Sequence, residues 1–247
     1  MIKPTELRYL QDMSLLTGDA TLLDVIHENG RDIIILDQTV FYPQGGGQPY
    51  DIGEIKSESA TFNVEEVRMI DGIVKHIGTV TNGKFIKNDR VFCKIDETQR
   101  LLNSRLHAAG HLIDMAVHQL KLNWTPQKGH HFPKGAYVEY HGDFDASNKE
   151  TIQKQLEAQC NQLIQAGSKT HVRFVPLNEL KHYCHFMPDY VSQDKPVRLI
   201  FFGKDFAIPC GGTHVNDIAI IQAITIRKVK MEKGNIRVSY DIQHDIF

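Results

Sequence analysis

Two short segments, roughly 100 residues apart in the chain, each pair two residue types that bind zinc. The first is His107-Ala-Ala-Gly-His111 and the second is Cys210-Gly-Gly-Thr-His214. Residues four apart on a helix share one face, with Cβ atoms about 5–6 Å apart, so both imidazoles of the first segment can bind one ion. The second pair completes a tetrahedral set of three imidazoles and one thiolate. The sequence therefore predicts a zinc site, and a fold that brings these remote segments together.

Each pair taken alone is weak evidence, because a single histidine on a helix more often packs in a core than binds a metal. Ala108 stands where a zinc protease of the H-E-x-x-H type has its general-base glutamate, so that class is excluded. Two further histidine-rich segments are His130-His131 and 182–185. Adjacent histidines in a strand point to opposite faces, and we expect surface or packing roles for both segments.

Composition restricts the class of protein. Apolar residues make up 41% of the chain, which is enough for a hydrophobic core. No apolar run approaches the roughly 18 residues of a membrane span. The first residues are polar, unlike a signal peptide, and the cysteines are too scattered for a disulfide framework. We therefore expect a cytoplasmic protein with no membrane partner, whose reduced thiols are available to bind metal.

The formal net charge of −2 means that any contact with nucleic acid must be local. Candidate basic patches are residues 227–237 and 121–134. The alternative for each patch is that its lysines are simply solvated on strand and loop surfaces.

Short segments rich in β-branched residues occupy the first part of the chain. Turn signals such as Asn29-Gly30 and Asp71-Gly72 separate them, a pattern typical of a small barrel or sandwich. The predicted strands are 20–27, 31–36, 61–69, 73–77 and 90–95. Residues 1–95 are therefore predicted to form a small β-barrel-like N-terminal domain.

Helical periodicity begins near residue 96. Segments 96–120 and 148–166 carry apolar residues at three- and four-residue intervals, as helices that face a core require. Ser147 as N-cap, Glu150 in a capping box and Gly167 just beyond the end predict the limits of the second helix. Further strands are predicted at 171–175, 197–202, 219–231 and 236–242. The fold class is therefore α+β, and residues 96–247 are predicted to form a two-layer α/β domain with an antiparallel sheet.

A proline followed closely by three glycines marks a segment that reads F-Y-P-Q-G-G-G-Q-P from residue 41. It lacks the lysine of a Walker phosphate loop and has the wrong spacing for a dinucleotide motif. Two interpretations stay open: a tight β-turn without a ligand, or a backbone that approaches a small ligand without obstruction by Cβ atoms. In the second interpretation, Thr39 and Gln48 are candidate hydrogen-bonding side chains.

The two glycines that follow Cys210 also allow two interpretations. They suit the tight turn of a structural zinc knuckle. They equally suit a reactive site in which a substrate carbonyl or ribose comes close to the metal. Spacing alone does not separate these roles.

Together, the three motifs resemble the editing domain of alanyl-tRNA synthetase, and more closely the free-standing proteins of the AlaX family. The resemblance runs from Thr5 to the end of the chain, and all four zinc-ligand positions match in the same order. The β-rich first part is similar to that of the medium-length AlaX type, which has a barrel-like domain before its editing core. Because no class II synthetase domain precedes the motifs in this sequence, we expect a protein that acts in trans.

The resemblance implies a zinc-dependent aminoacyl-tRNA deacylase, an ester hydrolase that removes mischarged serine, with glycine as a further candidate, from the acceptor end of tRNA(Ala). Thr39 would contact the serine hydroxyl, and Gln48 would help to orient the reacting groups. One Zn²⁺ per chain would be bound by His107, His111, Cys210 and His214. The other expected substrate-binding residues are glycines: Gly45, Gly46, Gly47 and Gly212.

Two alternatives of other kinds stay open. One is a zinc-stabilised RNA-binding module without turnover. The other is an editing domain with threonyl-type specificity, which shares the zinc pattern but against which the Gly-Gly-Gly-Gln loop argues. The zinc could activate a water molecule or position the substrate. The oligomeric state does not follow from the sequence.

Overall fold

The computed structural model describes residues 3–186, 195–204 and 206–243. The chain divides into two compact units, Met1–Leu102 and Asn103–Phe247. The first contains a closed β-barrel and the second contains antiparallel sheets and helices, so the predicted α+β class with an N-terminal barrel is confirmed. The division at residue 102 lies inside a helix that begins at Glu97. The predicted domain ranges 1–95 and 96–247 stay a prediction.

Among residues 3–102 there are eight strands: β1 (Glu6–Leu7), β2 (Thr17–Glu28), β3 (Arg31–Leu36), β4 (Gln38–Thr39), β5 (Gly53–Lys56), β6 (Ala60–Ile70), β7 (Ile73–Gly83) and β8 (Arg90–Ile95). Six of them close into a barrel in the order β2-β3-β7-β6-β5-β8. Every barrel pairing is antiparallel, whereas β1 and β4 pair with each other in parallel.

Tight turns connect the barrel strands where the sequence predicts them. Asn29 and Gly30 join β2 to β3 with φ of +53° and +73°, and Asp71 and Gly72 join β6 to β7 with φ of +50° and +78°. Positive φ at both central residues is typical of type I′ turns, whose twist matches that of the flanking strands. Alternate residues of β8 are buried, and apolar side chains from all six barrel strands fill the interior.

The described residues from 103 onward include most of helix α1 (Glu97–Gln119), helix α2 (Lys149–Ala166) and seven strands: β9 (Thr125–His130), β10 (Tyr137–His141), β11 (Thr170–Val175), β12 (Val197–Phe202), β13 (Phe206–Pro209), β14 (Ile224–Glu232) and β15 (Asn235–Ile242). Four strands form the antiparallel sheet β14-β15-β10-β9, and three form the sheet β11-β12-β13. No helix among the described residues combines the length and the apolar character needed to cross a membrane.

Two tyrosines of the four-stranded sheet hold helix α1 in place. Tyr240 on β15 donates a hydrogen bond to the carbonyl of Leu106 at 2.9 Å. Tyr140 on β10 donates one to the carboxylate of Asp114 at 2.6 Å. Both tyrosines are fully buried, as is the apolar side of α1 around Leu112. The sheet therefore fixes the orientation of α1 and of the histidines that it carries.

The predicted capping box of α2 is wrong. The helix begins at Lys149, and its N-cap Asn148 makes no side-chain capping bond. Ser147 lies in a preceding 3-10 turn, where its hydroxyl donates to the Asp145 carboxylate at 2.7 Å. Gly167 follows the helix as predicted, with φ of +65°, and its N–H donates to carbonyls of the last turn.

Other limits also differ from the predicted ones. Strand β14 begins at Ile224 rather than at residue 219, because 218–221 form a 3-10 turn capped by Asp217. Six strands are absent from the sequence prediction: β1, β4, β5, β9, β10 and β13. In β9, Pro126 and Gly129 interrupt the pattern of β-branched residues from which strands are recognised.

Candidate functional site

The four residues that the sequence marks as zinc ligands lie together in the second unit. Their ligand atoms, one each from His107, His111, Cys210 and His214, are all within 4.8 Å of one another. Helix α1 supplies the first two, whose ring centroids are 5.0 Å apart. Cys210 directly follows strand β13, and His214 lies in the loop beyond it. Within the described ranges no second cluster of this kind occurs. The four residues are able to hold one metal ion between them.

The distances in this cluster fit a zinc ion. Cys210 Sγ lies 3.5 Å from His107 Nε2 and 3.3 Å from His214 Nε2. Zinc binds thiolate at about 2.3 Å and imidazole at about 2.0–2.1 Å, so neighbouring ligands of a tetrahedral ion are about 3.5 Å apart. The His111 Nε2 atom is buried and has no hydrogen-bond partner among the described residues. An ion at the centre of the cluster would satisfy this nitrogen.

Asp114 orients the His111 ring from behind. Its Oδ2 lies 3.1 Å from His111 Nδ1, and its Oδ1 accepts the hydrogen bond from Tyr140. Burial lowers the pKa of His111, but the Asp114 carboxylate and the nearby Cys210 sulfur outweigh burial and raise it to about 9. A carboxylate that accepts from Nδ1 leaves Nε2 as the ligand atom, an arrangement that recurs at metal-binding histidines.

Hydrogen bonds to backbone groups and to one side chain hold the loop from Cys210 to His214 in place. Arg198 on β12 donates to the carbonyl oxygens of Cys210 and Gly212, the latter at 3.0 Å. The Gly212 N–H donates to Cys210 Sγ at 3.3 Å. Thr213 and Ser104 of α1 share a buried hydroxyl–hydroxyl hydrogen bond of 2.8 Å. These contacts explain why the loop keeps its sulfur directed at helix α1.

Three of the four predicted ligands, namely Cys210, His107 and His214, have pKa shifts that favour the protonation states that bind metal. Burial raises the pKa of Cys210, but the contacts with His111, Gly212 and Arg198 together lower it below its ordinary value, which favours the thiolate. Burial, followed by the charges of neighbouring groups, lowers the pKa of His107 and of His214 well below the ordinary value. Both imidazoles are therefore neutral, as metal ligands must be.

His131 lies against the cluster although its position in the sequence does not indicate this. Its ring stacks on His107 with centroids 4.5 Å apart, and its Nδ1 is 2.7 Å from the Tyr240 hydroxyl. Two glycines leave room for the ring: a Cβ at Gly110 would lie 2.4 Å from His131 Cε1, and one at Gly129 would lie 2.2 Å from Nε2. A glycine inside a helical pattern is the signal that could have indicated this close approach.

Asn103 is a second residue that sequence analysis missed. It precedes His107 by one helical turn, so it lies on the same face of α1 as the two histidines. Its side chain is fully buried, and neither its amide nitrogen nor its amide oxygen has a hydrogen-bond partner in the described residues. Buried amides are rarely left without partners, and the exceptions tend to mark places where a ligand or water binds.

The glycine-rich segment forms a tight turn in the first unit. The backbones of Gly45 and Gln48 bond to each other in both directions, at 2.8 and 3.3 Å. Gly46 and Gly47 have φ of +51° and +78°, values that side chains with a Cβ adopt reluctantly. The Tyr42 hydroxyl donates to the Gly45 carbonyl at 2.9 Å and supports the turn. Whether the turn also contacts a substrate stays a prediction, as does the orienting role of the buried Gln48.

Thr39 is buried in the barrel unit with its hydroxyl already engaged. The hydroxyl accepts from the Phe41 N–H at 3.1 Å and lies 2.8 Å from His76 Nε2. His76 Nδ1 is 3.0 Å from the Ile34 carbonyl, so Nδ1 carries the proton and Nε2 accepts from Thr39. Burial lowers the pKa of His76 to about 4. One lone pair of the Thr39 oxygen remains available to accept a further hydrogen bond.

The predicted site residues thus fall into two groups. The metal ligands and Gly212 lie together in the second unit. Thr39 and the turn from Gly45 to Gln48 belong to the first unit. The two groups belong to different units, and the roles predicted for Thr39, Gln48 and the glycines stay predictions.

Comparison with known proteins gives matches over both units. Residues 4–99 match the family model described as tRNA synthetases class II (A). Residues 197–239, which contain Cys210 and His214, match the model of the threonyl and alanyl tRNA synthetase second additional domain. The first match covers the barrel and the glycine-rich turn, and the second covers half of the metal cluster.

The relatives are alanine–tRNA ligases. That of Methanosarcina mazei is 28% identical over 96% of this chain and 25% of its own length. The mitochondrial enzyme of Saccharomyces cerevisiae is 31% identical over 83% of this chain and 23% of its own length. The chain therefore spans about a quarter of the length of these relatives. The resemblance stated from the three motifs is confirmed: the chain is a relative of alanyl-tRNA synthetase, consistent with an AlaX-like editing-domain protein.

Proposed function

We propose that this protein is a zinc-dependent deacylase that hydrolyses the ester of mischarged serine on tRNA(Ala), acting in trans. The observation that carries the proposal is the cluster of three imidazoles and one thiolate in a chain related to alanine–tRNA ligases. We further propose a cytoplasmic location, where tRNA is charged and the thiols are reduced.

The need for such an activity follows from the limits of binding selectivity. A pocket shaped for a small side chain rejects an isostere that adds a hydroxyl only by about 100-fold. A second site that hydrogen-bonds the hydroxyl discriminates far better, because the smaller substrate leaves its polar groups unpaired. An enzyme that removes serine after charging therefore corrects an error that charging alone does not prevent.

In the proposed mechanism, residues of the second unit hold the metal ion. His107, His111, Cys210 and His214 would hold the zinc ion, which would supply either Lewis-acid polarisation of an ester carbonyl or a lowered pKa of a water molecule. Asp114 keeps the Nε2 atom of His111 directed at the cluster. The other residues of the chain bind and orient the aminoacyl group.

Recognition of serine is proposed to involve Thr39. Its hydroxyl donates to His76 and accepts from Phe41, so it can still accept the proton of a serine hydroxyl. Alanine lacks that donor. The backbone at Gly45, Gly46, Gly47 and Gly212 is proposed to let the substrate approach closely, and Gln48 to orient the ester for attack by water. Glycine is proposed as a further substrate; since it also lacks a hydroxyl, its acceptance would depend on its small size and not on the contact with Thr39.

Deacylation assays test the proposal directly. Zinc-loaded protein is incubated with Ser-tRNA(Ala), Gly-tRNA(Ala), Ala-tRNA(Ala) and Ser-tRNA(Thr), and the released amino acid is measured. We expect serine to be released from tRNA(Ala) at least about 100-fold faster than alanine. Equal rates for serine and alanine, or no release at all, would contradict the proposal. Faster release from tRNA(Thr) would assign threonyl-type specificity instead, a possibility that the second family match also names.

A variant pair tests the metal. Cys210→Ala is expected to lose zinc, measured by elemental analysis, and to lose hydrolysis with it. Cys160→Ala is the matched control, because Cys160 on α2 is a buried thiol of the same unit outside the cluster. Full activity of metal-free Cys210→Ala protein would remove zinc from the mechanism.

A zinc-stabilised RNA-binding module is the second candidate. It is favoured by the ligand count, because four protein ligands are typical of structural zinc whereas catalytic zinc usually keeps one position open. The same assays separate the two candidates: binding of Ser-tRNA(Ala) without release of serine would identify the module.

A further inference from the structure

A cavity of about 310 Å³ lies in the second unit, next to the metal cluster but lined by different residues. Its deeper wall includes Trp124 and Phe206, both buried, and its mouth includes the exposed His118, His185 and Lys121. This volume is near the lower limit of small-molecule sites, about 300–1,000 Å³, and suits one ring system. No residue of the proposed hydrolytic mechanism other than Asp114 belongs to it.

Helix α1 connects the cavity to the metal cluster. His107, His111, Asp114 and His118 follow one another at intervals of three or four residues, so they share one face of the helix. Asp114 belongs to both places, because it lines the cavity and hydrogen-bonds His111. His118 lies two turns beyond His111, which is about 10 Å along the helix axis. That distance is about three stacked nucleotides at ~3.4 Å each.

The lining has the chemistry of a stacking site. The rings of His118 and His185 are stacked, with centroids 3.9 Å apart and planes inclined by 23°, and His185 also stacks near Phe206. Trp124 Nε1 already donates to the Asp143 carbonyl at 2.9 Å, so its ring offers an apolar surface to the cavity. Lys121 is exposed at the mouth of the cavity, and lysine is one of the residue types that contact phosphate.

We propose that this cavity binds an unpaired base of the tRNA 3′ end while the aminoacyl ester reaches the metal cluster. The inference rests on the proposed function. In this proposal the base stacks against the aromatic rings that line the cavity, and Lys121 at the mouth contacts the phosphate backbone. Single-stranded nucleic acid is commonly bound by such a combination of aromatic rings and a nearby cation. The His182–His185 segment, for which the sequence predicts a surface or packing role, thereby contributes His185 to substrate binding.

The chain offers a direct optical measurement, because Trp124 is its only tryptophan. The probe is the trinucleotide 5′-CCA-3′, titrated into the full-length protein while tryptophan emission is recorded. We expect quenching that saturates, and an approximately tenfold weaker Kd for His118→Ala, since base stacking on a ring is worth roughly that factor or more. His118→Phe keeps a ring and is expected to bind within about threefold of the unchanged protein.

Two controls make the titration specific. His171→Ala removes an exposed histidine that also stacks on an aromatic ring, Phe201 at 4.8 Å, but does not line the cavity. It is expected to leave the Kd unchanged. Lys121→Ala is expected to weaken binding and to reduce its salt dependence, whereas Lys154→Ala, an exposed lysine on α2, changes neither.

Different results would overturn the base-binding proposal and the proposed deacylase function. If Ser-tRNA(Ala) is hydrolysed but CCA causes no quenching, and His118→Ala leaves KM unchanged, the cavity proposal is overturned and the deacylase stands. If CCA binds through His118 but serine is never released, the deacylase fails and the base site stands. Quenching by the tripeptide Ala-Phe-Ala but not by CCA would assign the cavity to a protein partner and overturn the proposal.

If the cavity binds the tRNA 3′ end during hydrolysis, His118→Ala raises KM for Ser-tRNA(Ala) about tenfold with kcat nearly unchanged.

Discussion

Several parts of the candidate metal centre are held by neighbours that are not themselves ligands. Asp114 hydrogen-bonds His111, Arg198 bonds the carbonyls on both sides of Gly211, and the Gly212 amide bonds the Cys210 sulfur. Such outer contacts fix ring orientation and ligand basicity, and their loss typically lowers metal affinity or activity by about 10- to 100-fold.

Asp114→Asn tests this outer layer. Asparagine keeps the shape of the side chain but removes its charge and one acceptor, so either His111 or Tyr140 loses a good partner. We expect zinc affinity, measured by competition with a chelator, to fall by about 10- to 100-fold. Glu150→Gln on α2 is the control, because it removes an acidic charge without touching the centre. Unchanged zinc affinity in Asp114→Asn would contradict the assigned role.

Asn103 provides a second test at single-residue scale. Its buried amide has no partner in the described residues, so Asn103→Leu removes an unsatisfied polar group at nearly constant volume. We expect the free energy of unfolding to rise by about 1–2 kcal/mol, measured by urea denaturation, while deacylation falls. Asn161→Leu is the opposite case: that amide bonds both backbone groups of Ile224 and its loss should destabilise. A fall in stability for Asn103→Leu would show that the amide has a structural partner.

At the scale of elements, helix α1 determines where the site lies. It presents Asn103, His107 and His111 on one face, while its carbonyl at Leu106 and the carboxylate of Asp114 accept from tyrosines of the sheet. Its one interior glycine, Gly110, is the point at which His131 approaches the helix. The helix therefore accepts a residue of low helix propensity in order to pack a histidine ring.

Gly110→Ala tests this packing. On an exposed helix the change would stabilise by about 1 kcal/mol, but here the new Cβ would lie 2.4 Å from the His131 ring. We expect a net loss of about 1–3 kcal/mol in thermal or urea unfolding. Adding His131→Ala should remove the clash. The double variant should therefore lose less unfolding free energy than the sum of the losses in the two single variants. Simple additivity would contradict a direct contact.

At the scale of the whole molecule, the buried histidines make stability depend on pH. His76 has a pKa of about 4 in the folded barrel because burial disfavours its charged form, against 6.5 for an exposed histidine. Between these values the unfolded chain binds more protons than the folded one, so stability rises with pH and is lost as pH falls from 6.5 through 4.

The expected size of this effect is measurable. Each pKa unit corresponds to about 1.4 kcal/mol, so His76 alone should cost roughly 2 kcal/mol between pH 7 and pH 5. Urea unfolding at both values gives the difference, and His76→Gln should show a smaller one. An equal pH dependence in the two proteins would mean that the charged form of His76 is tolerated in the barrel.

The sequence predicts the parts of this molecule that depend on local spacing. The i, i+4 histidines, the Asn-Gly and Asp-Gly turns and the strand limits at 31–36 and 90–95 follow from periodicity and turn chemistry. The contacts that surround the site do not follow, because they join residues far apart: Thr39 meets His76, and His131 meets Tyr240, across 37 and 109 positions. Alternation along a strand explains why only one of His130 and His131 is deeply buried. It does not predict which residues the buried ring contacts.

The four thiols differ in a way that allows occupied centres to be counted. Cys93, Cys160 and Cys184 are buried, whereas Cys210 is partly exposed. Iodoacetamide added to folded, chelator-treated protein should therefore attach a single adduct, and none when zinc occupies the sulfur. Intact mass spectrometry then reports the fraction of metal-loaded molecules in any preparation, without a substrate and without an assay of turnover.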